Sequence, residues 1–167
     1  VIRTVQEADA AGIACLYNHF IEHTTITFET QAVTEADMAA RFQAVHRTAL
    51  PWLVDQADGA VLGYAYATTW KPRAAYRHTV ESTVYVHPEA GGRGVGSRLY
   101  RALLADLEQR SIHAVLSVVT LPNPASVALH EKLGFEKVGH LREVGCKFGD
   151  WLDVGIWQRS LETRGIE

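Results

Sequence analysis

The stretch from His78 to Leu121 constrains the fold more than any other part of the chain. HTVESTVYVHP alternates, with Val80, Ser82, Val84 and Val86 on one side and Glu81, Thr83 and Tyr85 on the other, which predicts a strand. A glycine-rich turn follows, with Gly91, Gly92, Gly94 and Gly96, and then a helix from about Gly94 to Arg110 with Leu99, Leu103 and Leu107 spaced by four. HAVLSVVTL is an unbroken apolar run, the pattern of a strand buried on both faces. Such a strand needs helices over both faces of its sheet.

The flanking segments supply them. VIRTVQEADA predicts a short strand, Ile2 to Val5, and a helix start with Glu7 and Asp9 in its first turn, continued by Ile13, Leu16, Tyr17 and Phe20. Thr34 and Asp37 form an N-cap pair for a second helix with Met38, Phe42 and Val45 on one face. WLVDQADGAVLGYAYATTW reads as a hairpin. NPASVALHEKLGF is a helix with Asn123 as cap, Pro124 in the first position and Gly134 at the end. Two strands around FGDW finish the chain. The order β-α-α-β-β-β-α-β-α-β-β, without linker or repeat, predicts a single domain over 1–167. Its class is α/β (α+β), one mixed sheet covered by helices.

At 167 residues the chain buries a core without staples. Its net charge of −3 and lack of a basic tract argue against a nucleic-acid partner. No apolar run nears the ~20 residues of a membrane span, and the first residues lack a secretory layout. Cys15 and Cys146 stand far apart, so a reduced cytoplasmic setting is expected. The eight histidines show no ligand spacing, and no metal is expected.

A glycine turn between strand and helix is the layout in which helix N–H groups receive an anion. The dinucleotide pattern G-x-G-x-x-G is not met, because Gly92, Gly94 and Gly96 give G-x-G-x-G. The P-loop pattern fails too, since Ser97 and Arg98 follow Gly96 with no lysine. Arg93 and Arg98 flank the helix start and favour a phosphate over a bare turn.

STVYVHP, GGRGVGSRLYRALL and NPASVALHEKLGF together resemble the GNAT N-acetyltransferase superfamily. That family carries Gln/Arg-x-x-Gly-x-Gly/Ala at a helix start, where backbone amides hold the acetyl-CoA pyrophosphate. Gly94 and Gly96 match, while Gly91 stands in the Gln/Arg position, so the side-chain anchor is lost and the amides remain. With ITFET, PWLV, YAYATTWKPRAAY and LREVGCKFGDWLDVGIWQ added, nearly the whole chain resembles the phosphinothricin/methionine sulfoximine N-acetyltransferase subfamily. The resemblance implies a twisted mixed sheet splayed at the acetyl-CoA site, a homodimer, and acetylation of amino-acid-like amines.

It also implies residue roles. An ammonium substrate must lose a proton before attack. Glu81 is the expected base, against the competing reading of a solvated or ion-paired outer-face residue. A backbone N–H near Val86 serves the oxyanion, and main-chain atoms of Val84, Tyr85 and Val86 serve the pantetheine arm with Asn123, which otherwise is only a cap. Gly92, Arg93, Gly94, Val95, Gly96 and Ser97 form the pyrophosphate turn, and Lys132 approaches the phosphorylated ribose or is merely solvated. His130 is the expected donor to the thiolate, with Tyr100 and Tyr85 as alternates and a plain surface histidine as the competing reading. In the basic loop WKPRAAYR, Arg73 and Tyr76 would hold the acceptor's carboxylate, with Phe28 and Glu29 closing the pocket. Trp151 and the other late aromatics are expected in the core or a dimer contact. Two rivals stay open: an acetyltransferase for a polyamine or protein N-terminus, and a non-catalytic acyl-CoA sensor. The shortage of acidic residues in WKPRAAYR speaks against polyamines.

Overall fold

The computed structural model describes residues 1–162, so the last five residues of the expected domain lie outside the described residues. Its elements follow the order read from the sequence: β1 (Ile2–Thr4), α1 (Ala10–His23), α2 (Glu35–Arg47), β2 (Trp52–Ala57), β3 (Ala60–Thr69), β4 (Thr79–Val86), α3 (Val95–Gln109), β5 (Ala114–Leu121), α4 (Pro124–Lys132), β6 (Glu136–Lys147) and β7 (Asp150–Ser160). The local signals act as expected at most ends. Thr34 and Asp37 cap α2 reciprocally, and Asn123 Oδ1 accepts the Ser126 N–H at 3.1 Å at the start of α4. Gly134 leaves α4 with φ of +81°, in the left-handed region where glycine is favoured. One difference lies at the first helix. Glu7 and Asp9 occupy a 3-10 turn before α1, because the Asp9 carboxylate is held by Arg3 and by the Gln6 N–H.

The strands form one sheet in the order β1-β2-β3-β4-β5-β7-β6, antiparallel throughout except for β4 beside β5. Opposed residues share a face, so two layers follow from the registers. On one face Trp52, Val54, Tyr64 and Tyr85 pack under α1 and α2. On the other, Leu53, Ala65, Ala67, Val80, Val115, Val119 and Trp157 pack under α3 with Leu99, Leu103 and Leu107. Gly63 allows that second layer to close: a β-carbon there would stand 2.7 Å from the Tyr85 carbonyl and 3.2 Å from Leu99. No helix among the described residues is long and apolar enough to cross a membrane.

The parallel pair β4–β5 is short. It holds from Thr79↔Ala114 to Glu81↔Leu116 and then ends, so the strands part over the remainder of each. This departs from the fully covered strand that HAVLSVVTL predicts. Val118, on the α1/α2 face beyond the parting, is 40% exposed. The apolar run is covered by α3 on one face and becomes the floor of an opening on the other.

Candidate active site

The opening between β4 and β5 is where the chemistry-bearing residues converge. On β4, His87 N–H bonds the Leu62 carbonyl and Trp70 N–H bonds the Thr79 carbonyl. Antiparallel partners alternate, so the odd-numbered residues of β4 spend their main-chain groups on β3 and the even-numbered ones face β5. Beyond Glu81 no described strand pairs with that edge. The main-chain groups of Val84 and Val86 are therefore presented to the cleft, as a ligand-binding edge requires. Tyr85, expected beside them, borders the cleft but offers no free main-chain group. Its main chain belongs to the β3 ladder, and its ring is buried against Tyr17 and Phe20.

The helix start closes one end of this edge. Gly92 and Gly94 have φ of +72° and +76°, which lets the turn reverse into α3 with Gly94 as its N-cap. The first intrahelical N–H to find a carbonyl there is that of Arg98, bonded to Gly94 at 3.0 Å. The N–H groups of Val95, Gly96 and Ser97 precede it and point out of the helix end. A β-carbon on Gly96 would lie 3.4 Å from Val86 and 3.1 Å from Leu129 of α4, so the helix start sits directly against the end of β4. A donor edge continuous with a helix N-terminus fits an elongated ligand carrying a phosphate. Arg93 in the turn and Lys132 at the end of α4 are exposed.

Arg98, expected near a phosphate, has partners within the protein. Its guanidinium bonds Asp55 of β2 at 2.7 Å and the Arg93 carbonyl at 3.0 Å. Asp55 is buried, so this pair fastens the glycine turn to the sheet.

Glu81 stands at the last paired position of β4, on the α1/α2 face, opposite Thr68 and beside Leu116. It is half-buried, no described cation pairs with it, and burial pushes its carboxyl up from the ordinary range. A carboxylate so placed is suited to taking a proton.

His130 departs from its expected role. It is 2% exposed and lies between Tyr100, Phe135 and α4's own backbone. Its Nδ1 is 2.7 Å from the Ser126 carbonyl, an acceptor only, so Nδ1 carries the proton. Burial holds its pKa down, and the neutral ring's Nε2 accepts the Tyr100 hydroxyl at 2.9 Å. Both nitrogens are engaged within the protein, although the ring borders the small cavity of the cleft. Tyr100 is equally enclosed: its phenol is pushed up to about 12 by burial, and its oxygen lies 2.6 Å from Ser82 Oγ. The Ser82–Tyr100 pair was not foreseen. The signal was present, since Ser82 interrupts the valines of a buried face and a buried hydroxyl needs a partner.

Ser82, Val84, Thr120, Asn123, Ser126 and His130 meet around a cavity of about 50 Å³ in the cleft. Ile26, from the segment joining α1 and α2, covers its outer side with Val118. Arg73 and Tyr76 are exposed in the loop between β3 and β4, at the Glu81 end of the strand. Phe28 lies over β6, and Glu29 is clasped by Arg41 at 2.6 and 3.2 Å; desolvation pushes its carboxyl up, but Arg41 and Tyr17 together hold it below the ordinary range, and the pair braces the segment. A larger cavity of about 370 Å³, between α2 and β1, contains none of these residues.

A cleft with a free strand edge, a helix N-terminus at its mouth and a half-buried carboxylate at its base is the arrangement of an acyl-CoA-dependent transferase. The profile of the Acetyltransferase (GNAT) family matches residues 14–135, and the chain belongs to that family. It is 44% identical to a phosphinothricin N-acetyltransferase of Streptomyces viridochromogenes, over 96% of this chain and 87% of that protein. It is 38% identical to an L-methionine sulfoximine/L-methionine sulfone acetyltransferase of Pseudomonas paraeruginosa, over 96% of this chain and 94% of that one. A solved structure of a phosphinothricin acetyltransferase from Sinorhizobium meliloti in complex with acetyl-CoA superposes with a TM-score of 0.93 at 36% identity, covering 96% of this chain and 88% of that chain. The chain is an N-acetyltransferase that uses acetyl-CoA as co-substrate.

Proposed function

We propose that the chain acetylates the amino group of small amino-acid-like molecules, with methionine sulfoximine, methionine sulfone and phosphinothricin as its substrate class. The observation that carries this is similarity across nearly the whole chain to relatives named for those amines. Acetyl-CoA supplies the activated thioester. The main-chain groups of Val84 and Val86, with Asn123, hold its arm, and the N–H groups of Val95, Gly96 and Ser97 hold the pyrophosphate, with Gly92, Arg93 and Gly94 shaping the turn and Lys132 at its border. The Val86 N–H stabilises charge on the acetyl oxygen. Glu81 takes the ammonium proton, directly or through one water. A thiol with a reference pKa of about 8.5 leaves readily, so no dedicated acid is required. His130 and Tyr100 instead fix the buried wall of the cleft from which Ser82 and Ser126 face it.

Arg73 and Tyr76 receive the acceptor's carboxylate, and Phe28 covers the pocket. Following thiol release with a panel of amines tests the substrate class. Arg73→Ala raises KM for the amino acid about 10- to 100-fold, the loss expected for a charged hydrogen bond, and leaves KM for acetyl-CoA unchanged. A preference for a polyamine would overturn the reading.

The active protein is a homodimer in the cytoplasm. Supporting this, the edge strand β6 and its hairpin expose Val138, Val144, Phe148 and Trp151, an apolar set of the kind a second copy covers. Sedimentation at micromolar concentration is expected to give a dimer, and a monomer there overturns it.

A further inference from the structure

Residues 24–33 join α1 to α2 without regular structure, yet they are firmly held on both sides. From α1, the Tyr17 hydroxyl bonds Thr27 Oγ1 at 2.8 Å, and Asn18 bonds both main-chain groups of Val33. From the other side come two alternate positions of β6. The Phe28 ring lies so close over Gly145 that a β-carbon there would overlap it. Two residues on, Lys147 Nζ donates to the Thr27 carbonyl at 2.8 Å. Lys147 is 3% exposed, and no carboxylate among the described residues lies within ion-pair distance of it. A buried ammonium is costly without an anionic partner. Besides the face of the Phe148 ring at 5.1 Å, the Thr27 carbonyl is the one hydrogen-bond acceptor of Lys147 among the described residues, which marks that oxygen's position as important.

The segment it holds is the outer wall of the cleft. Ile26 faces Thr83 and Val118 on the same sheet face as Glu81. We propose that Lys147 is a positioning residue of the amine pocket. By fixing Thr27, and with Gly145 seating Phe28, it sets the distance between the pocket's wall and Glu81, and so the size of amine admitted. This rests on the reading of the Glu81 face as the acceptor side.

The experiment combines kinetics with hydrogen exchange on the intact protein. Lys147→Met is expected to raise KM for the amine about tenfold. KM for acetyl-CoA stays within about twofold, and amide exchange speeds up in residues 24–30 but not in β4 or α3. Lys147→Arg, which keeps a charged donor, restores most of the amine KM. Gly145→Ala displaces Phe28 with every charge in place and gives the same pattern, which covers the case of a poorly folding Lys147→Met. Unchanged exchange in residues 24–30 overturns the proposal whatever the substrate proves to be. So does faster exchange with an unchanged amine KM. Faster exchange in a protein that acetylates no amine of the panel counts against the substrate reading and leaves the clasp standing.

Discussion

Glu81→Gln is expected to lower kcat by about 10²- to 10⁴-fold, the range for loss of a positioned general base, with KM for acetyl-CoA unchanged. Glutamine keeps the shape of the side chain and removes only its capacity to take a proton. The wild-type profile of kcat/KM should fall on the acid side with a pKa above the ordinary carboxylate range, because burial raises that of Glu81. In the variant that limb disappears. The same shift fixes a stability effect of definite sign. The folded state holds the Glu81 proton more tightly than the unfolded state, so this group's stabilising contribution is complete below the unfolded pKa. It is lost as pH rises through the raised folded value. At pH 7 the ionised carboxylate is a burden on the fold, and Glu81→Gln should melt at a higher temperature than wild type. A variant that keeps full turnover at pH 7, or retains the acid limb, removes Glu81 from the role of base.

Gly96→Val acts on the other substrate. Its first added carbon meets Leu129 at 3.1 Å and Val86 at 3.4 Å, and the two further methyls have nowhere to go without moving α3 from β4. KM for acetyl-CoA should rise about 10- to 100-fold, equivalent to about 1.4–2.7 kcal/mol of lost binding. Overpacking should also cost about 1–3 kcal/mol of stability, read by urea unfolding. Binding of free coenzyme A by calorimetry separates the two, since a folded variant must bind it weakly. Wild-type affinity in that variant would place the pyrophosphate elsewhere than at this helix start.

The two substitutions together test the proposed division of the cleft into a proton-handling end and an anion-holding end. The element between them is the even-numbered edge of β4. Pairing with β3 settles which residues of that edge are free, and the parting from β5 settles that they stay free. Main-chain groups left free in this way need no particular side chain, and valines occupy the positions.

Much of this was legible in the sequence because the signals are local. Alternation across Thr79–Val86 placed Glu81 and Val84 on opposite faces, and the glycines marked the turn. The Asn123–Pro124 pair marked the start of α4, within a few residues of each feature they specify. The identity of the anion needed the resemblance, since the turn alone fits any phosphate. What the sequence did not reveal depends on partners far along the chain. Arg98 meets Asp55 across 43 residues, Tyr100 meets His130 across 30, and Lys147 meets Thr27 across 120. A helix histidine looks the same in sequence whether it faces water or a tyrosine.

The sequence by itself determined the elements, their order, the mixed sheet and the glycine turn that opens α3, because capping, periodicity and glycine conformations act over one or two helical turns. Only the tertiary structure decided where β4 and β5 part, which main-chain groups are left unpaired, and which charged side chains are already satisfied. Those outcomes follow from packing two helical layers against one twisted sheet, and no short window of the chain contains both sides of such a contact.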